Sequence, residues 1–218
     1  MGSILDEELA DFMSACNSIL GQFFSVLSLY NEKSIDGFSS DIMNLVVESL
    51  FLKACGYWES FIEKIFIYYM LGNKSEKGDS IKLYVSPRDY THAYNLIKNV
   101  SIYPDWTDTA KILINAENFF ENGGPFCLLK TLKGQLSHIK TIRNAIAHTS
   151  LKATQDFDDL VRGLIGHLPD NINPSIFLSE YKNGKKKTSP TYFEYYLRFL
   201  TDSAIMLVEY KPENNKLE

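Results

Sequence analysis

The sequence lacks the motifs that carry several common enzymatic chemistries. It has no glycine-rich phosphate loop, no Gly-x-Ser-x-Gly elbow and no His-Glu-x-x-His pair. Nucleotide hydrolysis, serine hydrolysis and zinc proteolysis therefore lose support. No two cysteines or histidines stand at the spacing of zinc ligands, so we expect no metal site and no cofactor.

Cysteine is also scarce. Cys16, Cys55 and Cys127 are odd in number, far apart and set among apolar neighbours, which predicts buried thiols rather than disulfides. The first ten residues carry acids where a signal peptide needs positive charge, and no apolar run approaches the roughly 20 residues of a membrane span. We therefore expect a cytoplasmic protein without membrane contact.

Positive charge is in deficit, because 22 lysines and arginines face 27 acids and give a net charge of -5. This argues against a broad basic face that coats nucleic acid. Residues 122–155 nevertheless contain no acid while they hold five basic residues: Lys130, Lys133, Lys140, Arg143 and Lys152. The stretch is either a local nucleic-acid contact or a solvated helix face.

Apolar residues spaced by three or four positions predict helices along most of the chain. The pattern is clearest over 5–30 and 42–71, and the second segment opens at Ser39-Ser40-Asp41, which is good N-cap chemistry. Further helices are expected at about 88–99, 107–121, 126–148, 156–168 and 191–209. These segments predict an all-α helical bundle, and 218 residues favour one domain spanning 1–218.

The pattern changes between Pro169 and Pro190. Asn183-Gly184 is a strong turn signal, so we expect a small β-hairpin or a loop excursion near 175–190. The run Lys185-Lys186-Lys187 that follows is either a solvated loop or an element that contacts phosphates.

Candidate chemistry lies in the segment from Leu136 to Ser150. Arg143 supplies a permanent cation, His148 supplies an imidazole and Asn144 supplies an amide between them. Phosphodiester cleavage without metal needs a group that moves protons near neutral pH and a fixed positive charge on the anionic phosphorane. Arginine and histidine meet these two needs.

Helical geometry makes one copy of this site loose. At about 100° per residue, Arg143 and His148 lie about 140° apart, whereas Asn144 and His148 share a face. Two copies that meet across a two-fold axis would bring both arginines and both histidines around one phosphate. The alternative interpretation is structural, with Arg143 in a surface ion pair and His148 favourably placed at a helix C-terminus.

The segment Ile142-Arg143-Asn144-Ala145-Ile146-Ala147-His148 resembles the Arg-Asn-x-x-x-His signature of the HEPN superfamily. The upstream stretch from Ala54 to Glu63 is similar to a helix opening in bacterial branches found near defence and toxin genes, of the RiboL-PSP-HEPN-like type. The resemblance covers about 40–165 and is specific at the motif.

The resemblance implies a helical bundle, usually a homodimer, and in catalytic members a metal-independent endoribonuclease that leaves a 2′,3′-cyclic phosphate. Arg143 would stabilise the transition state, Asn144 would position groups, and His148 would act as general acid or base. Glu59 matches a variable polar position and could orient Arg143. A toxin or antiphage effector, controlled by a cognate antitoxin or defence-system protein, is the implied setting.

Three further residues are candidates for binding the RNA substrate. Lys140 and Lys152 belong to the acid-free stretch, and His138 lies about 80° from His148 on a helical wheel. Some toxin members carry a tyrosine two residues beyond the histidine, where this chain has Ser150, so control through that tyrosine is not expected. The family also contains non-catalytic members, so an adaptor that binds a protein partner or a nucleotide is the alternative function.

Overall fold

The computed structural model describes residues 2–32, 36–100 and 104–212, apart from the side chains of residues 99 and 100. The described chain is helical and contains no strand, which confirms the all-α prediction. Its α-helices are α1 (Ile4–Asn31), α2 (Ser40–Met70), α3 (Tyr90–Val100), α4 (Thr109–Phe119), α5 (Leu129–Ala147), α6 (Leu151–Ile165), α7 (Pro174–Glu180) and α8 (Tyr192–Val208).

The chain divides into two compact units, each built from discontinuous segments. The first unit comprises Met1–Met13, Trp58–Gly134 and Thr201–Glu218, and the second comprises Ser14–Tyr57 and Gln135–Leu200. Helices α1, α2, α5 and α8 therefore each contribute residues to both units. The prediction of a single domain stays a prediction.

The core of the first unit is aromatic. The ring of Phe66 lies 4.7 Å from that of Phe126 and 5.0 Å from that of Phe120, measured between centroids. The hydroxyl of Tyr69 donates to the backbone carbonyls of Leu207 and Val208 at 2.8 and 3.1 Å. Burial raises the pKa of Tyr69, so its phenol stays protonated and holds the end of α8.

The core of the second unit depends on α8. Phe193 stacks on Phe23 at 4.1 Å, and Tyr192 stacks on Phe177 at 4.4 Å. Burying one such ring stabilises a fold by about 1.5–3 kcal/mol, so these stacks fix the start of α8 against its neighbours.

Two predicted helix starts differ from the structure, one because of a capping residue and the other because of left-handed backbone angles. Helix α6 begins at Leu151 rather than near 156, since the Ser150 hydroxyl accepts a hydrogen bond from the Ala153 backbone N–H at 3.3 Å. It ends at Ile165 and is followed by the C-cap Gly166, whose φ of 90° is left-handed and favours glycine.

The second boundary is at the start of α5, which begins at Leu129 rather than near 126. The backbone φ angles of Asn122, Gly123 and Gly124 are positive, and the segment Glu121–Leu128 forms irregular 3-10 turns. A regular helix cannot run through this segment.

The region near 175–190 is partly helical. Asn173 caps α7 by accepting from the Ile176 N–H at 2.8 Å, and Pro174 occupies the first turn, so residues 174–180 form a helix instead of a strand. The predicted excursion follows α7 and is closed by an isolated bridge between Lys182 and Thr191.

Helix α1 corrects one expectation from the sequence. It is long and apolar enough to span a bilayer by length and composition, although a core helix passes the same test and the indication is weak. Its buried residues recur every three or four positions, the packing pattern of an amphipathic core helix. They are Leu5, Leu9 and Phe12 in the first unit, and Cys16, Ile19 and Phe23 in the second.

Candidate functional site at the junction of helices α5 and α6

The candidate motif lies where α5 ends and α6 begins. Helix α5 ends at Ala147, yet the backbone N–H of His148 still donates to the Asn144 carbonyl at 2.9 Å. Ser150 then caps α6, so three residues connect the two helices. This short connection fixes the backbone of His148 from both sides.

A pocket of about 180 Å³ opens at this junction. It is lined by Thr141, Asn144, His148, Ser150, Lys152, Ala153 and Asp156. Asn144 and His148 therefore line one pocket, as their four-residue spacing predicts. The side chain of His148 is exposed, so its imidazole is accessible to a solute.

Arg143 reaches the edge of this arrangement through Asn144. Its side chain is half-buried, and its Nη1 donates to Asn144 Oδ1 at 3.4 Å. Asn144 thus contacts the guanidinium while it lines the same pocket as His148. Asn144 is therefore the residue that connects the guanidinium to the pocket that His148 lines.

Lys152 and Asp156 form an ion pair within the pocket lining. The Lys152 ammonium lies 3.2 and 3.1 Å from the two carboxylate oxygens of Asp156, one helical turn further along α6. The lysine side chain is 84% exposed, so the pair contributes only about 0–1 kcal/mol to stability. An incoming anion can therefore compete with Asp156 for this lysine at little cost.

His138 is placed elsewhere in the second unit. It is half-buried on α5, and its Nδ1 lies 3.4 Å from the hydroxyl of Tyr196. Burial lowers the pKa of His138, which favours the neutral ring. Its contact with Tyr196 gives it a packing role, and it does not belong to the residues that line the pocket.

The two other candidates are also outside the pocket lining. Lys140 lies on α5 and is half-buried, and Glu59 lies on α2 in the first unit and is half-buried. Their predicted roles stay predictions.

Four lining residues were not among the predicted site residues: Thr141, Ser150, Ala153 and Asp156. Thr141 precedes Asn144 by three positions and His148 by seven, so helical spacing alone could have found it. Ser150 and Asp156 required the correct start of α6, and the Ser150 cap was the available signal.

No cluster of three or more histidine, cysteine or acidic side chains suited to a metal ion occurs within the described ranges. No family model, curated protein or solved structure matches this chain.

Proposed function

We propose that this chain is a metal-independent endoribonuclease of the HEPN type, which acts as a homodimer in the cytoplasm. The observation that carries the proposal is the junction of α5 and α6, where exposed His148 and Asn144 line one pocket and Asn144 accepts from Arg143. The sequence signature described above supports the same assignment.

The proposed reaction is attack of a ribose 2′-hydroxyl on the adjacent phosphorus. The 2′ oxygen forms a bond to phosphorus, its proton passes to a general base, and the bond from phosphorus to the 5′ oxygen breaks. The leaving 5′ oxygen takes a proton from a general acid. The products are a 2′,3′-cyclic phosphate and a 5′-hydroxyl, and no water enters this step.

Each residue of the junction has a defined role in this proposal. His148 transfers protons, because an imidazole can both accept and donate one. Arg143 stabilises the charge that develops on the phosphorane, and Asn144 orients the guanidinium. Lys152 leaves its ion pair with Asp156 and binds a neighbouring phosphate of the substrate.

The proposed dimer would account for the two proton transfers. One imidazole must accept a proton while another group donates one, and one chain contributes one His148 to its pocket. A second copy across a two-fold axis would supply a second imidazole and a second guanidinium. The expected biological setting is a toxin or antiphage effector whose activity a partner protein restrains.

The direct test incubates the purified full chain with ribosomal, transfer and messenger RNA in EDTA. We expect cleavage with 2′,3′-cyclic phosphate ends, and specific activity that rises with protein concentration as dimers form. Absence of cleavage across these RNA classes, with and without added Mg²⁺, would contradict the proposal.

Expression in cells distinguishes the nuclease from the alternative function, a non-catalytic adaptor. Growth arrest that disappears with His148→Ala supports the nuclease. Arrest that persists unchanged with His148→Ala would support binding to a protein partner or nucleotide instead.

A further inference from the structure

Residues 182–191, in the connection between α7 and α8, form a loop held by internal hydrogen bonds. The backbone N–H of Asn183 donates to the Pro190 carbonyl at 2.9 Å, and that of Ser189 donates to the Lys186 carbonyl at 3.0 Å. The Lys182 ammonium also donates to the Lys187 carbonyl. These bonds close the loop at its base and shape its tip. We call this segment the lysine loop.

The base of the lysine loop is attached to buried aromatic side chains. The N–H of Tyr192 donates to the Tyr181 carbonyl at 3.0 Å, just outside the loop. Both tyrosine rings stack against Phe177, at 4.4 and 6.4 Å between centroids. The loop is therefore presented from a fixed platform in the second unit.

The lysine loop carries three adjacent lysines that have no acidic partner among the described residues. Lys185, Lys186 and Lys187 are all exposed, and none of the three forms an ion pair with a carboxylate in the described part of the chain. Six lysines elsewhere lie 2.6 to 3.2 Å from a carboxylate oxygen: Lys64, Lys77, Lys82, Lys111, Lys130 and Lys152.

This contrast matters because the chain as a whole is acidic, with a net charge of -5. Six acids pair with lysines elsewhere in the described part of the chain, whereas the sequence from 181 to 193 contains no acid. Three adjacent ammonium groups without internal counterions attract a polyanion and release its condensed cations on contact.

The composition of the loop favours a nucleic-acid backbone over a membrane surface. Stable attachment to a bilayer needs an apolar anchor in addition to basic residues. Residues 182–189 consist of lysine, asparagine, glycine, threonine and serine, so they offer no side chain that could insert among acyl chains. Ammonium groups act as point charges on phosphates and do not read base edges.

We propose that the lysine loop is a docking site for the phosphate backbone of RNA, independent of base sequence. It shares no residue with the pocket at the α5–α6 junction. The inference rests on the proposed function only in that the docked polymer is the RNA to be cleaved.

The experiment measures binding of a short fluorescein-labelled single-stranded RNA of mixed sequence by fluorescence anisotropy. The parent is the full chain with His148→Ala, which prevents cleavage during the titration. The test variant adds Lys185→Gln, Lys186→Gln and Lys187→Gln. Titrations run from about 50 to 200 mM salt, because each phosphate contact on a single strand contributes about 0.7 to the slope of log affinity against log salt.

We expect the triple variant to lower the steepness of that slope by about 2 and to weaken binding by about tenfold at the lowest salt. Replacing the same three lysines by arginine should restore the parent's slope. The matched control removes three exposed, paired lysines outside the 122–155 stretch, with Lys77→Gln, Lys82→Gln and Lys111→Gln, and changes the net charge equally. This control should keep the slope of the parent.

Equal weakening by both glutamine sets would overturn the inference, as would a loop variant that binds RNA like the parent. Loop-dependent binding to phosphatidylserine vesicles with none to RNA would also overturn it.

Failure of the docking site can be told apart from failure of the proposed nuclease function. If the wild-type chain cleaves RNA but the loop variant binds it normally, the docking site fails and the nuclease stands. If the chain binds RNA through the loop and cleaves none, the nuclease fails and the docking site stands.

Discussion

The two units each contain a pocket, and the larger one has the less suitable chemistry. The cavity of the first unit has a volume of about 810 Å³ and includes Lys82, Glu121 and Thr131 in its lining. Lys82 lies 2.6 Å from Glu121, so these two opposite charges neutralise each other. The pocket at the α5–α6 junction, in the second unit, has about 180 Å³, yet it holds the exposed imidazole of His148.

The comparison teaches that volume alone does not select the functional site. Both linings contain a lysine paired with an acid, Lys82 with Glu121 and Lys152 with Asp156, so the pairing does not separate them. The difference is the histidine, because the lining of the larger cavity contains no imidazole that could move a proton. A small pocket with an accessible imidazole, next to an amide that contacts a guanidinium, can move a proton and stabilise an oxyanion. The predictions below test this difference between the pockets.

The largest effect is expected from filling each pocket with the same side chain. Helix α5 carries a threonine in each lining, Thr131 in the larger cavity and Thr141 in the smaller pocket. Thr141→Trp should reduce RNA cleavage by at least about 100-fold, because displacing reacting groups by about 1 Å already has such a cost. Thr131→Trp should leave cleavage close to wild type.

Circular dichroism of both tryptophan variants provides the control for folding. If Thr131→Trp abolishes cleavage while Thr141→Trp preserves it, the active site is the larger cavity of the first unit and the assignment to the α5–α6 junction is wrong.

The next effect concerns the shape of the cation. Arg143→Lys keeps the charge but removes the planar fork that donates to the Asn144 amide and that could bind a phosphate with two hydrogen bonds. We expect the kcat for RNA cleavage to fall by about tenfold or more. Arg162→Lys is the matched control, since Arg162 is exposed and pairs with Asp159 at 2.8 Å. Equal losses in both variants would remove the special role of Arg143.

A smaller effect should follow from releasing Lys152. Asp156→Asn removes the carboxylate that competes with phosphate, so KM should fall by up to about fivefold, the equivalent of an exposed ion pair. Asp159→Asn changes the charge equally on the same helix, and Asp159 does not line the pocket. A KM that is unchanged in Asp156→Asn, or lowered equally in Asp159→Asn, would contradict a role for Lys152 in binding.

Much of the fold could be predicted because apolar periodicity is local. The spacing of Leu5, Leu9 and Phe12 identifies α1, and the aromatic residues near 192–199 identify α8. The helix α7 could not be found in this way, since it has only seven residues and its Phe177 is buried by rings distant in sequence. The break at Asn122–Gly124 depends on left-handed backbone angles that the pattern does not specify.

The site was predictable in part for the same reason. Asn144 and His148 share a helix face by spacing, and they line one pocket. The Lys152–Asp156 pair requires the true start of α6, and the surroundings of His138 depend on Tyr196, 58 residues away. Contacts between distant segments are beyond what periodicity can indicate.

The smallest effect is on the pH dependence of stability. Burial lowers the pKa of His138, and the ring faces the hydroxyl of Tyr196. An unfolded histidine binds its proton near pH 6.5, so the folded state loses stability as the pH falls below that value. His138→Gln should reduce this loss on acidification, measured by urea unfolding between about pH 7 and pH 5. A variant whose stability falls as steeply as the wild type would contradict the burial effect.

The central claim is that His148 transfers the protons of RNA cleavage, and two alanine variants in the second unit test it most directly. Cleavage rates in EDTA are measured for His148→Ala and for His167→Ala, whose imidazole is also exposed but lies beyond the cap of α6. The account predicts a loss of about 100- to 10,000-fold for His148→Ala and an unchanged rate for His167→Ala. Cleavage by His148→Ala at the wild-type rate would contradict it.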